Sequence, residues 1–123
     1  MIQEGLTHTS QLKVTEAVSA ISLGSGDLPV LDTPAMMALM ENAAMLAVAP
    51  HLPEGSTTVG GHISASHIKP TPIGETVTAT ATVVKVDGKK IEFEVKAHLG
   101  DILLGEGTHL RFIVDRDKFM SRL

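Results

Sequence analysis

The stretch Asp32-Thr33-Pro34-Ala35-Met36-Met37-Ala38-Leu39-Met40-Glu41-Asn42-Ala43-Ala44-Met45-Leu46-Ala47-Val48-Ala49 decides the fold. From Ala35 to Ala49 it is dominated by Ala, Leu and Met, which lose little on entering a helix. Asp32 or Thr33 supplies the N-cap. Pro34 falls in the first turn, where its missing N–H would be unpaired in any case. Pro50 and Pro53 stop the run. A helix apolar nearly all round expects burial on nearly every side. Its alanines would let a sheet approach closely.

Before the helix, Gly5 to Ser22 reads as an extended arm with moderate β propensity at Leu12, Val14, Val18 and Ile21. Gly24-Ser25-Gly26-Asp27 and Pro29 mark a loop. After it comes a series of strands. The first covers Thr57 to Lys69, with a turn around Pro70, Pro72 and Gly74. The second, Thr76 to Val83, alternates with period 2, as a half-buried strand should. Asp87-Gly88 signals a two-residue hairpin. Ile91, Phe93, Val95 and Ala97 then alternate with Glu92, Glu94, Lys96 and His98. Gly100-Asp101 turns the chain again, and Ile102 to Val114 forms the last strand, with Gly105 and Gly107 as bulge sites. An arm, a buried helix and an antiparallel meander make an α+β plan, with one curved sheet wrapped around one helix. Such a sheet leaves edge strands exposed, which predicts a dimer.

Composition narrows the function. The 123 residues suit one domain spanning 1–123, and the chain has no cysteine, which excludes disulfides, thiolate metal sites and Cys nucleophiles. A net charge of -4 with three Phe and no Trp or Tyr offers neither a basic footprint nor a stacking platform for nucleic acid. No signal peptide is read after Met1, and the apolar run is interrupted by Glu41 and Asn42 and too short to span a bilayer. The expectation is a cytoplasmic protein with no membrane partner and no nucleic-acid partner.

Glu41 sits in the middle of an apolar helix. Either it reaches a solvated gap, or it is a carboxylate in an apolar pocket, its pKa raised toward use as a general base. Asn42 is a polar neighbour or a solvent-facing residue. Along the first strand after the helix, Thr57, Val59, Gly61, Ile63, Ala65, His67 and Lys69 share one face, which the apolar members mark as buried. His67 therefore points toward the helix and His62 away. A single His on such a face is a satisfied core residue unless a buried Glu accompanies it, in which case the two form an acid–base couple. Thr33 is a helix cap, or a hydroxyl that contacts substrate or serves as nucleophile if a base reaches it. Gly60-Gly61 marks a bulge, or a place where a carbonyl approaches backbone N–H groups. Arg111 shares a face with His109 and Ile113; it is an exposed charge or a site residue. The histidines at 8, 51, 98 and 109 show no metal spacing, and no metal or cofactor is expected.

Several motifs, taken together, resemble the fluoroacetyl-CoA thioesterase-like branch of the hot-dog fold superfamily. They are Gly24-Ser25-Gly26, Val30-Leu31-Asp32-Thr33-Pro34, Met40-Glu41-Asn42-Ala43-Ala44, Val59-Gly60, Ser66-His67, Pro72-Ile73-Gly74, Val86-Asp87-Gly88-Lys89-Lys90 and Gly105-Glu106-Gly107-Thr108-His109-Leu110-Arg111. They run in order from about Val14 to Phe119. The resemblance implies a hot-dog fold, a homodimer or higher homo-oligomer with active sites at the subunit interface, and an acyl-CoA substrate. It implies catalytic roles for Thr33, Glu41 and His67, a backbone N–H at Gly60 holding the thioester carbonyl, and Arg111 lining the site or binding the acyl-CoA. The fluoroacetate-specific member implies aromatic residues over the acyl group. No aromatic lies between Met1 and Lys90 here, so the expected activity is hydrolysis of another short acyl-CoA. The rival is a non-catalytic acyl-CoA-binding protein of the same fold. Thr33 and Glu41, eight residues apart, would lie about 12 Å apart on a straight helix. Either the segment at Thr33 folds back over the helix or the partner subunit supplies one of the groups; Glu41 and His67 are expected to be the proton-handling pair, with Thr33 as nucleophile or carbonyl-orienting group.

Overall fold

The computed structural model describes residues 1–123. The long helix, α2, runs Thr33–Val48 after a first helical turn, α1, at Ala20–Leu23. Five strands, β1 Thr7–Lys13, β2 Ser56–His67, β3 Thr76–Asp87, β4 Lys90–Leu99 and β5 Ile102–Asp115, form one antiparallel sheet in the order β1-β3-β4-β5-β2. A short C-terminal helix, α3, covers Arg116–Ser121, its first turn capped by the Asp115 carboxylate accepting from the Lys118 N–H at 3.0 Å.

The core forms where the two periodicities meet. Ala35, Met36, Leu39, Met40, Ala43, Ala44, Ala47 and Val48 cover the buried face of α2. Against them lie the inward residues of β3 (Val77, Ala79, Ala81, Val83) and β4 (Ile91, Phe93, Val95, Ala97). Val83 pairs with Phe93, Ala81 with Val95 and Ala79 with Ala97, so the paired side chains shrink along the ladder from Val83–Phe93 to Ala79–Ala97. The alanines on both layers bring helix and sheet close, which is what a curved sheet around one helix needs. Truncating a buried side chain such as Phe93 to Ala would cost about 3–5 kcal/mol.

Several expectations need correction. Only Thr7–Lys13 of the arm is a strand; Glu16–Val18 and α1 are helical turns, with the Ser19 hydroxyl accepting from the Ser22 N–H to cap the latter. The long helix is not buried on nearly every side. Thr33, Pro34, Ala38, Asn42 and Leu46 make an exposed stripe, and an apolar groove beside it is lined by Leu12, Val18, Leu23 and Leu39. Asp32 is the N-cap by position, yet its side chain accepts no backbone N–H. The hairpin loop is Gly88-Lys89, one residue later than read, with Asp87 pairing Lys90 and Gly88 at φ 61°. In β5 the register shifts near Leu104, between the Ala97–Gly105 and His98–Leu103 pairs. Gly107 sits in regular register, where a Cβ would overlap the Ser64 carbonyl and the Ala65 backbone.

Candidate functional site

Two polar clusters flank the helix, and neither is the one expected. The first joins Thr33, the opening residue of α2, to His67, the closing residue of β2: Thr33 Oγ1 lies 2.7 Å from His67 Nδ1. Thr33 is exposed, whereas Nε2 of His67 is buried without a partner. The pair opens onto a cleft of about 290 Å³ walled by Val30, Leu31 and Asp32 on one side and Ile68, Lys69 and Pro70 on the other. A hydroxyl bonded to an imidazole nitrogen is the unit that turns a weak nucleophile into a usable one, because the ring takes the proton as the oxygen attacks.

The second cluster gathers around Glu41, two turns further along α2. Glu41 Oε2 is 3.9 Å from His109 Nε2 and 4.0 Å from Arg111 Nη1. The Glu41 side chain is 40% exposed, so of the two readings it is the solvated gap that one protomer presents, beside a guanidinium. Within the protomer no hydrogen bond or ion pair joins Glu41 to His67. The couple expected from sequence is not made by one chain.

Arg111 is not the exposed charge that one reading allowed; it is 7% exposed and held on three sides. Its Nε donates to Thr58 Oγ1 at 2.8 Å, Nη2 donates to the Thr58 carbonyl at 3.0 Å, and Nη1 reaches His109 Nε2 at 3.2 Å. His109 is fixed by the same logic. Its Nδ1 lies 2.7 Å from the His62 carbonyl, which can only accept, so Nδ1 carries the proton. Nε2 is then the lone pair that accepts from Arg111, and the ring is neutral. Burial pushes the His109 pKa below its ordinary 6.5, with the His62 carbonyl opposing, Arg111 adding to the depression and Glu41 opposing it. Burial also lowers the Arg111 pKa, against the pull of Glu41.

Gly60 completes this cluster. A Cβ there would stand 2.9 Å from Glu41 Oε2 and 3.6 Å from Arg111 Nη1, so only glycine leaves the space open. Its inward position comes from a bulge. The β2–β5 register shifts between Gly60 and His62, so Thr58 and Gly60 face inward before the shift and Ile63, Ala65 and His67 after it. The expected single inward face from Thr57 to Lys69 holds only beyond Gly61. At Gly61 a Cβ would collide with the Phe112 ring.

Thr33 and His67 thus come together, as do Glu41, Gly60 and Arg111, but the two groups remain separate along the helix. Sequence reasoning missed Thr58 and His109 as members of the second group. The structure turns His109 and Arg111 inward by pairing them with the buried Phe93 and Ile91, since directly paired residues point to the same face of a sheet; the sequence showed only that the two share a face.

A family model described as fluoroacetyl-CoA-specific thioesterase matches residues 14–117. The fluoroacetyl-CoA thioesterase of Streptantibioticus cattleyicolor is 38% identical over 94 residues, which is 76% of this chain and 68% of that protein. The solved structure of a fluoroacetyl-CoA thioesterase superposes with a TM-score of 0.93 at 31% identity, covering 99% of this chain and 95% of that one. A variant solved in complex with acetyl-CoA gives a TM-score of 0.92 at 31% identity, covering 98% and 96%. A Thermus thermophilus protein described as a thioesterase superfamily member gives 0.91 at 26% identity, covering 99% and 90%.

Proposed function

This chain belongs to the fluoroacetyl-CoA-specific thioesterase family, and from that premise we propose that it hydrolyses a short acyl-CoA to the free acid and coenzyme A. The observation that carries the chemistry is the 2.7 Å contact between Thr33 Oγ1 and His67 Nδ1. His67 takes the Thr33 proton as Oγ1 bonds to the acyl carbon. The electron pair of the C–S bond leaves with coenzyme A, a thiol of pKa about 8.5 that departs as thiolate without help. Water then attacks the acyl-Thr33 ester. The water proton goes to Glu41, and His67 returns its proton to Thr33 as the ester opens.

Glu41 reaches that water only if two protomers combine. We place the active site between subunits of a homodimer, with Thr33 and His67 from one protomer facing Glu41, Gly60 and Arg111 of its partner. Support comes from the separation of the two clusters within one chain, the exposed stripe and apolar groove of α2, and the free edges of β1 and β2. In that arrangement the Gly60 N–H holds the thioester carbonyl oxygen and Arg111 lines the acyl side. A cytoplasmic location belongs to the same proposal and agrees with a cysteine-free chain. The absence of aromatic residues before Phe93 supports a short acyl group other than fluoroacetyl. Rapid quenching of a turnover mixture followed by mass measurement tests the acyl-Thr33 step: an acyl adduct on Thr33 supports it, and an unmodified Thr33 during steady turnover contradicts it.

A further inference from the structure

Four buried side-chain atoms in this protein have no hydrogen-bond partner: Asp32 Oδ1, Asp32 Oδ2, His67 Nε2 and Thr71 Oγ1. They are not scattered. Asp32 directly precedes Thr33, His67 is bonded to Thr33, and the Thr71 carbonyl accepts from the Leu31 N–H at 2.8 Å. Asp32, Thr33 and His67 line the same cleft. Elsewhere the buried polar side chains Ser10, Ser19, Thr58, His109 and Arg111 all have partners. All four atoms belong to the reactive pair or to the segments that flank it.

Asp32 is the most costly of these groups, a carboxyl side chain at 0% exposure with no donor on either oxygen. The α2 N-terminus next to it would satisfy it in the ordinary capping geometry, and that geometry is not used. Removing an unpaired buried carboxylate commonly stabilises a protein, so its presence calls for a role outside folding. Its oxygens have essentially no accessible surface, so substrate does not touch them. Whatever Asp32 does, it does through a neighbour.

We propose that Asp32 is a positioning residue for His67: its buried carboxylate stabilises the imidazolium that forms when His67 takes the Thr33 proton. This rests on the reading of Thr33 and His67 as the reactive pair. When Nδ1 gains the proton, the ring carries an N–H at Nε2 as well, pointing into the interior where the chain offers it no direct acceptor. A carboxylate lining the same cleft acts on that N–H across the low-dielectric interior without contact. Asp32 exchanges no proton in the cycle, as with the acid member of a hydrolase triad. The ionisable side chains lining this cleft are Asp32, His67 and Lys69. On β5 the residue opposite His67 is Gly105, with the exposed Glu106 beside it. Glu41, His109 and Arg111 belong to the other cluster.

The test compares Asp32→Asn and Asp32→Ala with the parent in thermal melting, kcat, KM and the pH profile of kcat, with His67→Ala as reference. The expected result is a melting temperature equal to or above the parent's, kcat reduced about tenfold or more with KM within about twofold, and the acid limb of the profile moved about one unit lower. A lower limb is the sign expected when an imidazolium loses a stabilising anion. If His67→Ala abolishes turnover while Asp32→Asn keeps the parent's kcat and acid limb, the role of Asp32 is overturned and the Thr33–His67 reading stands. If both Asp32 variants lose stability and kcat together with the limb unmoved, Asp32 is structural and the inference also fails. If His67→Ala retains the parent's turnover, the reading beneath the inference has failed instead.

Discussion

Thr33 Oγ1 and His67 Nδ1 stand 2.7 Å apart although 34 residues separate them in the chain. The contact exists because one is the first residue of the helix and the other the last residue of the strand that runs back along it. Both ends are fixed. Pro34 holds the first turn of α2, and pairing with Gly105 on β5 holds the end of β2. The couple is therefore built into the fold and needs no substrate to assemble it.

Substitution at this couple should separate its members. Thr33→Ser keeps a hydroxyl within reach of Nδ1 and should retain substantial thiol release. Thr33→Ala and His67→Ala should each lose roughly 10²–10⁴ in kcat, the range of a lost general acid–base contribution. Steady-state kinetics on one short acyl-CoA checks this; full activity in His67→Ala would remove the imidazole from the mechanism.

The two-protomer site makes a prediction that a one-chain site does not. Thr33→Ala and Glu41→Gln are each expected to be nearly inactive. Mixed after reversible dissociation, they should recover about a quarter of the parent's activity, because random pairing restores one intact site in each heterodimer. No recovery, with heterodimers shown to form, would place Thr33 and Glu41 in the same chain's site.

His109 gives the fold a pH dependence of known sign. Its folded pKa lies below the ordinary 6.5, so between those two values the unfolded chain binds more protons than the folded one. Its contribution to stability is complete above the unfolded value and is lost as pH falls through the folded one. Melting followed from about pH 8 down to about pH 5 should therefore show an acid limb that His109→Gln flattens, since glutamine offers Arg111 an acceptor without titrating. An unchanged limb in that variant would assign the acid sensitivity to other groups.

Two glycines should fail in different ways. At Gly107 an added methyl meets backbone of the neighbouring strand, which cannot move aside, and Gly107→Ala should destabilise by about 3 kcal/mol or more. At Gly60 the methyl meets the free end of Glu41, which can swing outward. Gly60→Ala should lose less than about 1.5 kcal/mol of stability while losing activity. Chemical denaturation beside kinetics distinguishes them.

The long helix was legible from its helix-forming residues and the prolines that bound it, and the strands from clean alternation, as in Val77, Ala79, Ala81 and Val83. The second cluster was hidden by register shifts. Counting back from the Gly100-Asp101 turn pairs Phe93 with Thr108, whereas the irregularity near Leu104 pairs it with His109 and turns His109 and Arg111 inward. The shift at Gly60/His62 does the same for Thr58 and Gly60. The glycines at Gly60-Gly61 and Gly105 mark where bulges fall, but not which residue is the extra one that reverses the alternation. Asp32 was obscured differently: a cap is the ordinary use of Asp before a helix, and only side-chain placement shows the cap unmade.

The most direct measurement is release of free thiol from a panel of short acyl-CoAs by the parent protein, with His67→Ala as the control. The account predicts catalytic release with at least one short acyl group and its loss in the control. Saturable binding of acyl-CoAs with no release across the panel would contradict it, leaving a protein that keeps the thioesterase fold and only holds its ligand.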